Sequence, residues 1–132
     1  MTGEKDLKKL LSSMSPSLIE GDYVFCTFEN AHYGDHSQLA PIASFIEPEG
    51  LTLVVPKSKA DEQRLSYACV FKGITLSIHS SLEAVGLTAA VSRKLTEHGI
   101  SANVMAGYYH DHIFVPKEHV EKAIEALNEF SR

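Results

Sequence analysis

Residues 74–92 read ITLSIHSSLEAVGLTAAVS, and this stretch decides the fold class. Its first part, Ile74 to His79, is rich in apolar and β-branched residues, which favours a strand. Small and polar residues follow it. An amphipathic helix is then indicated by apolar residues at helical spacing, namely Leu87, Ala90, Val91 and Leu95. The stretch therefore predicts a strand, a loop and a helix in succession.

The chain after this helix predicts a β-hairpin and a second helix. Gly99 can adopt the left-handed conformation that ends a helix, and Ile100 can then fold back on Leu95. A strand is predicted over residues 102–106, a turn over 107–111 and a returning strand over 112–115. The closing helix follows Pro116 and carries one apolar face, formed by Val120, Ala123, Ile124 and Leu127.

The chain before residue 74 predicts the order helix, strand, hairpin, short helix, strand. The first helix carries one apolar face and is closed by Pro16; its apolar residues are Leu7, Leu10, Leu11 and Met14. The other predicted elements are a buried strand at 23–28, a polar loop at 29–41, a hairpin of strands 42–47 and 51–55, a short helix at 57–65 capped by Ser58 and a strand at 67–71. Lys72-Gly73 then separates this strand from the next and is the expected boundary between the two parts of the chain.

Each part is a permuted or truncated form of the ferredoxin-like βαββαβ unit. The predicted fold class is therefore α+β, with two such halves built from antiparallel sheets and helices packed on one face. We predict an N-terminal half over residues 1–72 and a C-terminal half over residues 73–132. No Ser- or Pro-rich linker separates them, so we expect the halves to pack together.

Composition narrows the classes of function. The chain has 132 residues, 44% of them hydrophobic, 22% charged, and a formal net charge of −5. This balance is typical of a globular protein. The acidic charge and the lack of a basic run argue against nucleic acid as a partner.

The sequence also carries expectations about location. The N-terminus shows no cationic segment followed by an apolar stretch, and no apolar run is long enough to cross a bilayer. Cys26 and Cys69 lie in apolar runs and lack the spacing of a zinc or redox motif. We therefore expect two reduced, buried thiols in a cytoplasmic protein without membrane contact.

The stretch from Ile74 to Ser92, the helix end and strand at residues 95–104, and the closing run at residues 112–116 together resemble an ACT domain. The pattern looks like the regulatory ACT pair of aspartokinase. It is closer still to short, stand-alone bacterial proteins with two ACT-like halves. An ACT unit ends with a fourth strand, which the C-terminal half lacks, so the resemblance implies that this strand comes from elsewhere, such as the N-terminal half.

The resemblance implies a ligand site in the loop Ser80–Leu87, which follows the first strand and holds the ligand against the second strand of a neighbouring unit, with Asn103 offering its amide across the interface. Backbone N–H groups at a helix start can bind the carboxylate of an amino acid, and a side-chain amide can bind its ammonium group. Gly86 lets the backbone approach a ligand closely. The alternative is structural, with Ser80 and Glu83 forming a capping box. The expected ligand-binding residues are Ser80, Ser81, Glu83, Val85, Gly86, Leu87, Asn103 and Val104.

Histidine offers a second candidate site, because the chain contains 7. His32 and His36 flank one polar segment, and His110 and His112 flank Asp111, which we place in a hairpin turn. Neither cluster offers three ligands at metal spacing. We therefore expect no metal site and no cofactor.

No catalytic motif is present, and His79 is badly placed to serve Ser80 because neighbouring strand residues point to opposite faces. The sequence thus predicts a regulatory protein that senses a small molecule, with an amino acid as the expected ligand, no catalytic activity and a homodimeric or larger assembly. One alternative is a protein–protein interaction or assembly module with a degenerate ligand site. A metal-dependent enzyme that uses the histidine clusters is a third hypothesis.

Overall fold

A computed structural model of the chain describes residues 4–77 and 86–131. In chain order its elements are α1 (Glu4–Ser13), β1 (Ser15–Leu18), β2 (Tyr23–Phe28), β3 (Ala43–Glu47), β4 (Gly50–Pro56), α2 (Lys57–Glu62), β5 (Phe71–Ser77), α3 (Leu87–Glu97), β6 (Asn103–Ala106), β7 (Asp111–Pro116) and α4 (Val120–Asn128). Short 3₁₀ turns lie at Ser37–Leu39, Lys117–His119 and Glu129–Ser131.

The chain divides into two compact units. One, here called the split unit, joins the chain up to Glu20 with the chain from Lys72 onward. The other, here called the central unit, comprises Gly21–Phe71. The two halves predicted along the sequence, residues 1–72 and 73–132, stay a prediction.

The split unit contains the fourth strand that the C-terminal sequence lacks. Strand β1 pairs antiparallel with β5, with Ser15 opposite Ser77 and Leu18 opposite Ile74. On the other side of β5 follow β7 and then β6. Counting β5, β6, β7 and β1 as first to fourth strands, this order is that of a ferredoxin-like sheet. The N-terminal segment therefore completes the sheet of the C-terminal half, as the sequence led us to expect.

The helices of the split unit cover one face of its sheet. Alternate residues of the central strands, Ile74 and Leu76 on β5 and Ile113 and Val115 on β7, are fully buried. They contact apolar side chains of the helices, among them Leu11, Leu87, Val91, Leu95, Ala123 and Leu127. Burial of one such aliphatic side chain stabilises the fold by about 1.5–3 kcal/mol. Helix α3 ends as predicted, with the N–H of Ile100 donating to Leu95 O and Gly99 at φ 72°.

The central unit contains three strands of this plan, β2, β3 and β4. Strands β2 and β3 both run antiparallel to β4, which lies between them. The segment from β2 to β3 holds a 3₁₀ turn at Ser37–Leu39 where the split unit has α3. Leu39 is 2% exposed and packs into the core of this unit, which also holds Val24, Cys26, Leu51, Leu53, Val55 and Ala60. One buried leucine thus anchors a segment that otherwise reads as a polar loop.

The strand predicted over residues 67–71 is wrong for most of its length. Residues 67–70 form no strand, and β5 begins at Phe71 and includes Lys72 and Gly73. Tyr67 and Val70 are apolar because they cover the central core from an irregular segment. Gly73 marks a close approach, since a Cβ there would lie 2.8 Å from Ile19 Cδ1 and 3.0 Å from Phe114 Cε2.

Three further corrections concern single residues. Pro56 rather than Ser58 is the N-cap of α2, where the N–H of Lys57 donates to Asp22 O at 2.8 Å. Cys69 is exposed because no strand forms around it, while Cys26 is buried and its burial raises the thiol pKa. Asp111 belongs to β7 rather than to the turn, since it pairs with Ala106. Among the described helices, none is long and apolar enough to cross a membrane.

Candidate functional site

Four of the eight predicted ligand-binding residues lie in the part of the chain that the structure describes. Gly86 and Leu87 are at the start of α3, and Asn103 and Val104 are on β6. The other four, Ser80, Ser81, Glu83 and Val85, lie outside the described residues, and so does the predicted capping box of Ser80 and Glu83. Their role therefore stays a prediction.

Gly86 forms the N-cap of α3. Its φ of 91° and ψ of −12° belong to the left-handed region, which glycine adopts without strain. Its carbonyl accepts the N–H of Ala90 at 2.9 Å. A glycine has no side chain to accept hydrogen bonds from the first N–H groups of the helix, and no acidic residue lies in the first turn. These N–H groups carry partial positive charge and suit an anion.

Packing fixes the start of α3. Leu87 is 3% exposed and belongs to the core of the split unit. A Cβ at Gly86 would lie 3.1 Å from Leu7 Cδ2, so α1 passes close to this point of the backbone. The buried Leu87 and the nearby Leu7 therefore hold the start of α3 in place.

Asn103 and Val104 have different environments on β6, which is the outermost strand of the sheet order on its side. The Asn103 amide donates through Nδ2 to Phe114 O at 3.2 Å. Its amide oxygen is the atom that suits an ammonium group, because that group only donates hydrogen bonds. Val104 lies opposite Ile113 and packs against the core, so its side chain serves the fold.

The sequence interpretation missed a polar pair on the sheet face opposite the core. Thr75 Oγ1 and His112 Nδ1 form a hydrogen bond of 3.0 Å, and both residues are half-buried. Ser17 on β1 lies opposite Thr75. A hydroxyl and an imidazole can each donate and accept, so this pair can take polar groups of either kind. The alternation of Thr75 with buried Ile74 and Leu76 is a sequence signal that would have placed it on this face.

The histidine clusters have local structural roles. In the loop after β2, the backbone N–H of His32 donates to Asp35 Oδ2 at 2.7 Å. The ring of His36 stacks on Phe28 with centroids 4.0 Å apart. In the split unit, His112 pairs with Thr75 as described above. Within the described ranges there is no group of three or more His, Cys, Asp or Glu side chains that could hold a metal ion.

One cluster of charges joins α3 to the C-terminal turn. Lys94 Nζ lies 3.1 Å from Glu129 Oε1, and His98 Nε2 lies 3.4 Å from Glu129 Oε2. The hydrogen bond from Lys94 is the main cause that lowers the pKa of the Glu129 carboxyl. Lys94 Nζ also lies 5.0 Å from the centroid of the Phe130 ring. The cluster connects the C-terminal 3₁₀ turn to the end of α3. The start of the same helix follows the predicted ligand loop.

A second cluster holds the segment after α2. Asp61 accepts hydrogen bonds from Lys57 and from the Tyr67 hydroxyl, each at 2.8 Å. The hydrogen bond from Lys57, then that from Tyr67, lowers the pKa of Asp61. The hydrogen bond to Asp61, then one with Tyr67, raises the pKa of Lys57. These exposed hydrogen bonds connect α2 to the segment that follows it in the central unit.

These features define a protein of two ferredoxin-like units. In one of them a helix starts at a glycine N-cap, and one strand carries a hydrogen-bonded amide. Two family models described as ACT domain match the chain, one over residues 2–72 and the other over residues 72–129. The first match alone spans more than half of the chain. The protein belongs to the ACT domain family, whose members are regulatory, non-catalytic modules that typically bind small molecules such as amino acids.

Solved structures share this fold. A protein of unknown function from Vibrio cholerae, described as a possible transport protein, is 57% identical, with a TM-score of 0.91 and coverage of 99% of this chain and 100% of that one. A protein from Agrobacterium tumefaciens is 15% identical, with a TM-score of 0.70 and coverage of 89% of both chains. No curated protein matches the sequence.

The expected likeness to aspartokinase is confirmed at the level of the fold. The ligand-free regulatory subunit of aspartate kinase from Thermus thermophilus is 9% identical, with a TM-score of 0.63 and coverage of 86% of this chain and 94% of that one. This chain thus carries a pair of ACT domains, and its structural neighbours include the regulatory subunit of aspartate kinase.

Proposed function

We propose that this protein senses a small metabolite, with an amino acid as the favoured class, and has no catalytic activity of its own. The ligand would bind at the loop Ser80–Leu87 and along β6 near Asn103. The protein would act as a homodimer or larger homo-oligomer in the cytoplasm, without nucleic acid or membrane as partner.

The start of α3 carries this proposal. Gly86 leaves the first N–H groups of an 11-residue helix without a side-chain cap from the N-cap position. An α-carboxylate is an acceptor that suits these donors. Asn103 follows the other end of α3, about 16 Å away by helix length, so the ammonium group of the same ligand would bind the amide oxygen of Asn103 of a second copy. The Nδ2 of Asn103 is used by Phe114 O. A zwitterionic ligand held between two copies would use both kinds of group.

Thermal unfolding in the presence of each common amino acid tests the proposal. A ligand that binds only the folded protein stabilises it by mass action, by about 2.7 kcal/mol at a concentration of 100 times Kd. We expect at least one amino acid to raise the melting temperature in a saturable manner. If none of them shifts it up to millimolar concentration, amino-acid sensing is wrong.

Two threonines of α3 provide a matched pair of variants. Thr88 and Thr96 are both exposed, but they lie at opposite ends of the helix. Thr88→Glu places a carboxylate in the first turn, where it competes with a ligand carboxylate for the same positive end of the helix. Thr96→Glu makes the same change in charge near the other end. We expect the ligand-induced shift to fall strongly in Thr88→Glu and to remain in Thr96→Glu; equal responses would place the ligand elsewhere.

A second function, that of an interaction or assembly module, is favoured by the β6–β7 turn. Tyr108 and Tyr109 are 79% and 73% exposed there, and their rings pack edge to face with centroids 5.1 Å apart. Exposed aromatic residues are common anchors in protein interfaces. Recovery of a stoichiometric partner by the wild type but not by a Tyr108→Ala, Tyr109→Ala variant, together with no ligand response, would favour this function over sensing.

A further inference from the structure

The β6–β7 turn lies at the end of the split unit's sheet from which the predicted ligand loop starts. Thr75 on β5 is hydrogen-bonded to His112 on β7 at 3.0 Å, and a Cβ on Gly73 would lie 3.0 Å from Phe114 Cε2. The residue numbers rise on β5 as they fall on β7, so these neighbouring strands run antiparallel. Two residues beyond Thr75, Ser77 therefore lies beside the end of the turn, and the loop leaves the sheet at this point.

A hydrogen bond closes the β6–β7 turn. The N–H of Gly107 donates to His110 O at 2.9 Å, which leaves Tyr108 and Tyr109 at the tip. A Cβ on Gly107 would lie 2.8 Å from His110 O, so a larger residue would disturb this closure. The two tyrosine rings pack edge to face, with centroids 5.1 Å apart and an interplanar angle of 70°. The tip thus presents two aromatic side chains in one defined arrangement.

The packing of the split unit does not account for the two tyrosines. Tyr108 is 79% exposed and Tyr109 is 73% exposed, and neither ring packs against the core of this unit. They are the most exposed large hydrophobic residues that the structure describes in the split unit. Tyrosine offers a large contact area and loses little conformational entropy when it binds, because its side chain has only two χ angles. A rigid, uncovered tyrosine pair is therefore suited to contact a ligand.

The surroundings of the loop ends are poor in charge. The turn at residues 107–110 and the first helical turn at residues 87–90 contain no acidic residue, lysine or arginine. The side chain next to Gly86 is apolar, since a Cβ there would lie 3.1 Å from Leu7 Cδ2. The sequence of the loop adds one carboxylate, that of Glu83. Burial of a charge without a partner is costly, so these surroundings favour a ligand with an uncharged side chain.

We propose that the β6–β7 turn is a further part of the amino-acid site, in which Tyr108 and Tyr109 contact the side chain of the ligand. The favoured ligands are then amino acids with an aromatic or branched aliphatic side chain. The start of α3 binds the α-carboxylate, and the tyrosine rings of the same copy cover the ligand's side chain. This inference rests on the proposed function, because it adds two residues and a ligand class to the same site.

Calorimetric titration with a series of amino acids tests the ligand class and the tyrosines. We expect the tightest binding for an aromatic or branched aliphatic amino acid. A Tyr108→Ala, Tyr109→Ala variant should bind it at least about tenfold more weakly, because two aromatic contacts are lost. Tyr33→Ala is the matched control, since Tyr33 is 78% exposed in the central unit, and it should keep the wild-type Kd. Tightest binding of lysine, arginine, aspartate or glutamate would overturn the ligand class.

NMR of the wild type tests the contact without any substitution, and it serves if the double variant fails to fold. We expect the backbone amides of residues 107–110 and the ring protons of both tyrosines to shift during the titration, with the same Kd as in calorimetry. The ring protons of Tyr33 should not shift. If the turn signals stay unchanged while the start of α3 responds, the tyrosines do not belong to the site.

These measurements separate this inference from the proposed function. A chain that binds no amino acid rejects the proposed function, and this inference falls with it. A chain that binds one equally well with and without the two tyrosines rejects this inference alone. A protein partner that the double variant loses, with the amino-acid affinity unchanged, would also overturn it and would assign Tyr108 and Tyr109 to the interaction module.

Discussion

Replacement of Leu39 by alanine tests whether the segment from β2 to β3 belongs to the core of the central unit. Leu39 is 2% exposed and packs with the buried side chains of β2 and β4, although it lies between polar residues in the sequence. Truncation of a fully buried leucine costs its transfer free energy plus that of the cavity, together about 2–5 kcal/mol. We therefore expect Leu39→Ala to lower the free energy of unfolding by about 3 kcal/mol.

Urea unfolding followed by circular dichroism measures this change. A loss of about 3 kcal/mol corresponds to a fall in melting temperature of roughly 10 °C for a chain of this size, and the denaturation midpoint should fall with little change in the slope m. Tyr33→Ala is the matched control, because Tyr33 lies in the same segment and is 78% exposed. It should change stability by less than about 0.5 kcal/mol. Equal effects of the two substitutions would show that Leu39 does not anchor the segment.

Two further predictions concern the split unit. Gly73→Ala should destabilise the protein by about 1–3 kcal/mol, because the new Cβ meets Ile19 and Phe114 at 2.8 and 3.0 Å; a variant as stable as the wild type in urea would show that this close approach is not a constraint. Lys94 lowers the folded-state pKa of Glu129, so its stabilising effect is present above the pKa of an unfolded glutamate and is lost as pH falls through the lower, folded value. Glu129→Gln should therefore reduce the acid-induced fall in melting temperature, whereas Glu125→Gln on the preceding helix α4 should not; a pH profile identical to that of the wild type would exclude the contribution.

The parts of the fold that local patterns encode were predictable. Strand β2 and helices α3 and α4 follow from runs of apolar residues at the period of each element. The end of α3 at Gly99 follows from the need for a left-handed residue. These features depend on neighbours within about ten residues, which the sequence displays directly.

The parts that depend on distant neighbours were not predictable in detail. Strand β1 reads Ser-Pro-Ser-Leu and has no strand pattern, because its identity comes from pairing with β5 some 60 residues later. Gly73 lies inside a strand because the side chains of Ile19 and Phe114 leave no room for a Cβ atom. These two neighbours are distant in the sequence. Leu39 is likewise not part of a periodic apolar pattern, because it is the one buried residue of its 3₁₀ turn.

In the candidate site, too, some features were predictable from the sequence and others were not. The sequence predicted that Gly86 lies at the start of a helix and that Asn103 lies on a strand, because the resemblance to an ACT domain covers both positions. It gave no basis for the bond from Asn103 to Phe114 O or for the Thr75–His112 pair, since these contacts depend on strand register. The β6–β7 turn was predicted, but its position beside the end of β5 depends on the register of the strands.

The most direct test of amino-acid sensing is an NMR titration of ¹⁵N-labelled protein with the amino acid that gives the largest thermal shift. We expect saturable shifts of the backbone amides of Leu87, Thr88 and Ala89 and of the Asn103 side-chain amide, with smaller changes at the C-terminal end of α3. Saturable shifts confined to other residues would place the ligand at a different site. Spectra that do not change with any amino acid would contradict the proposed function itself.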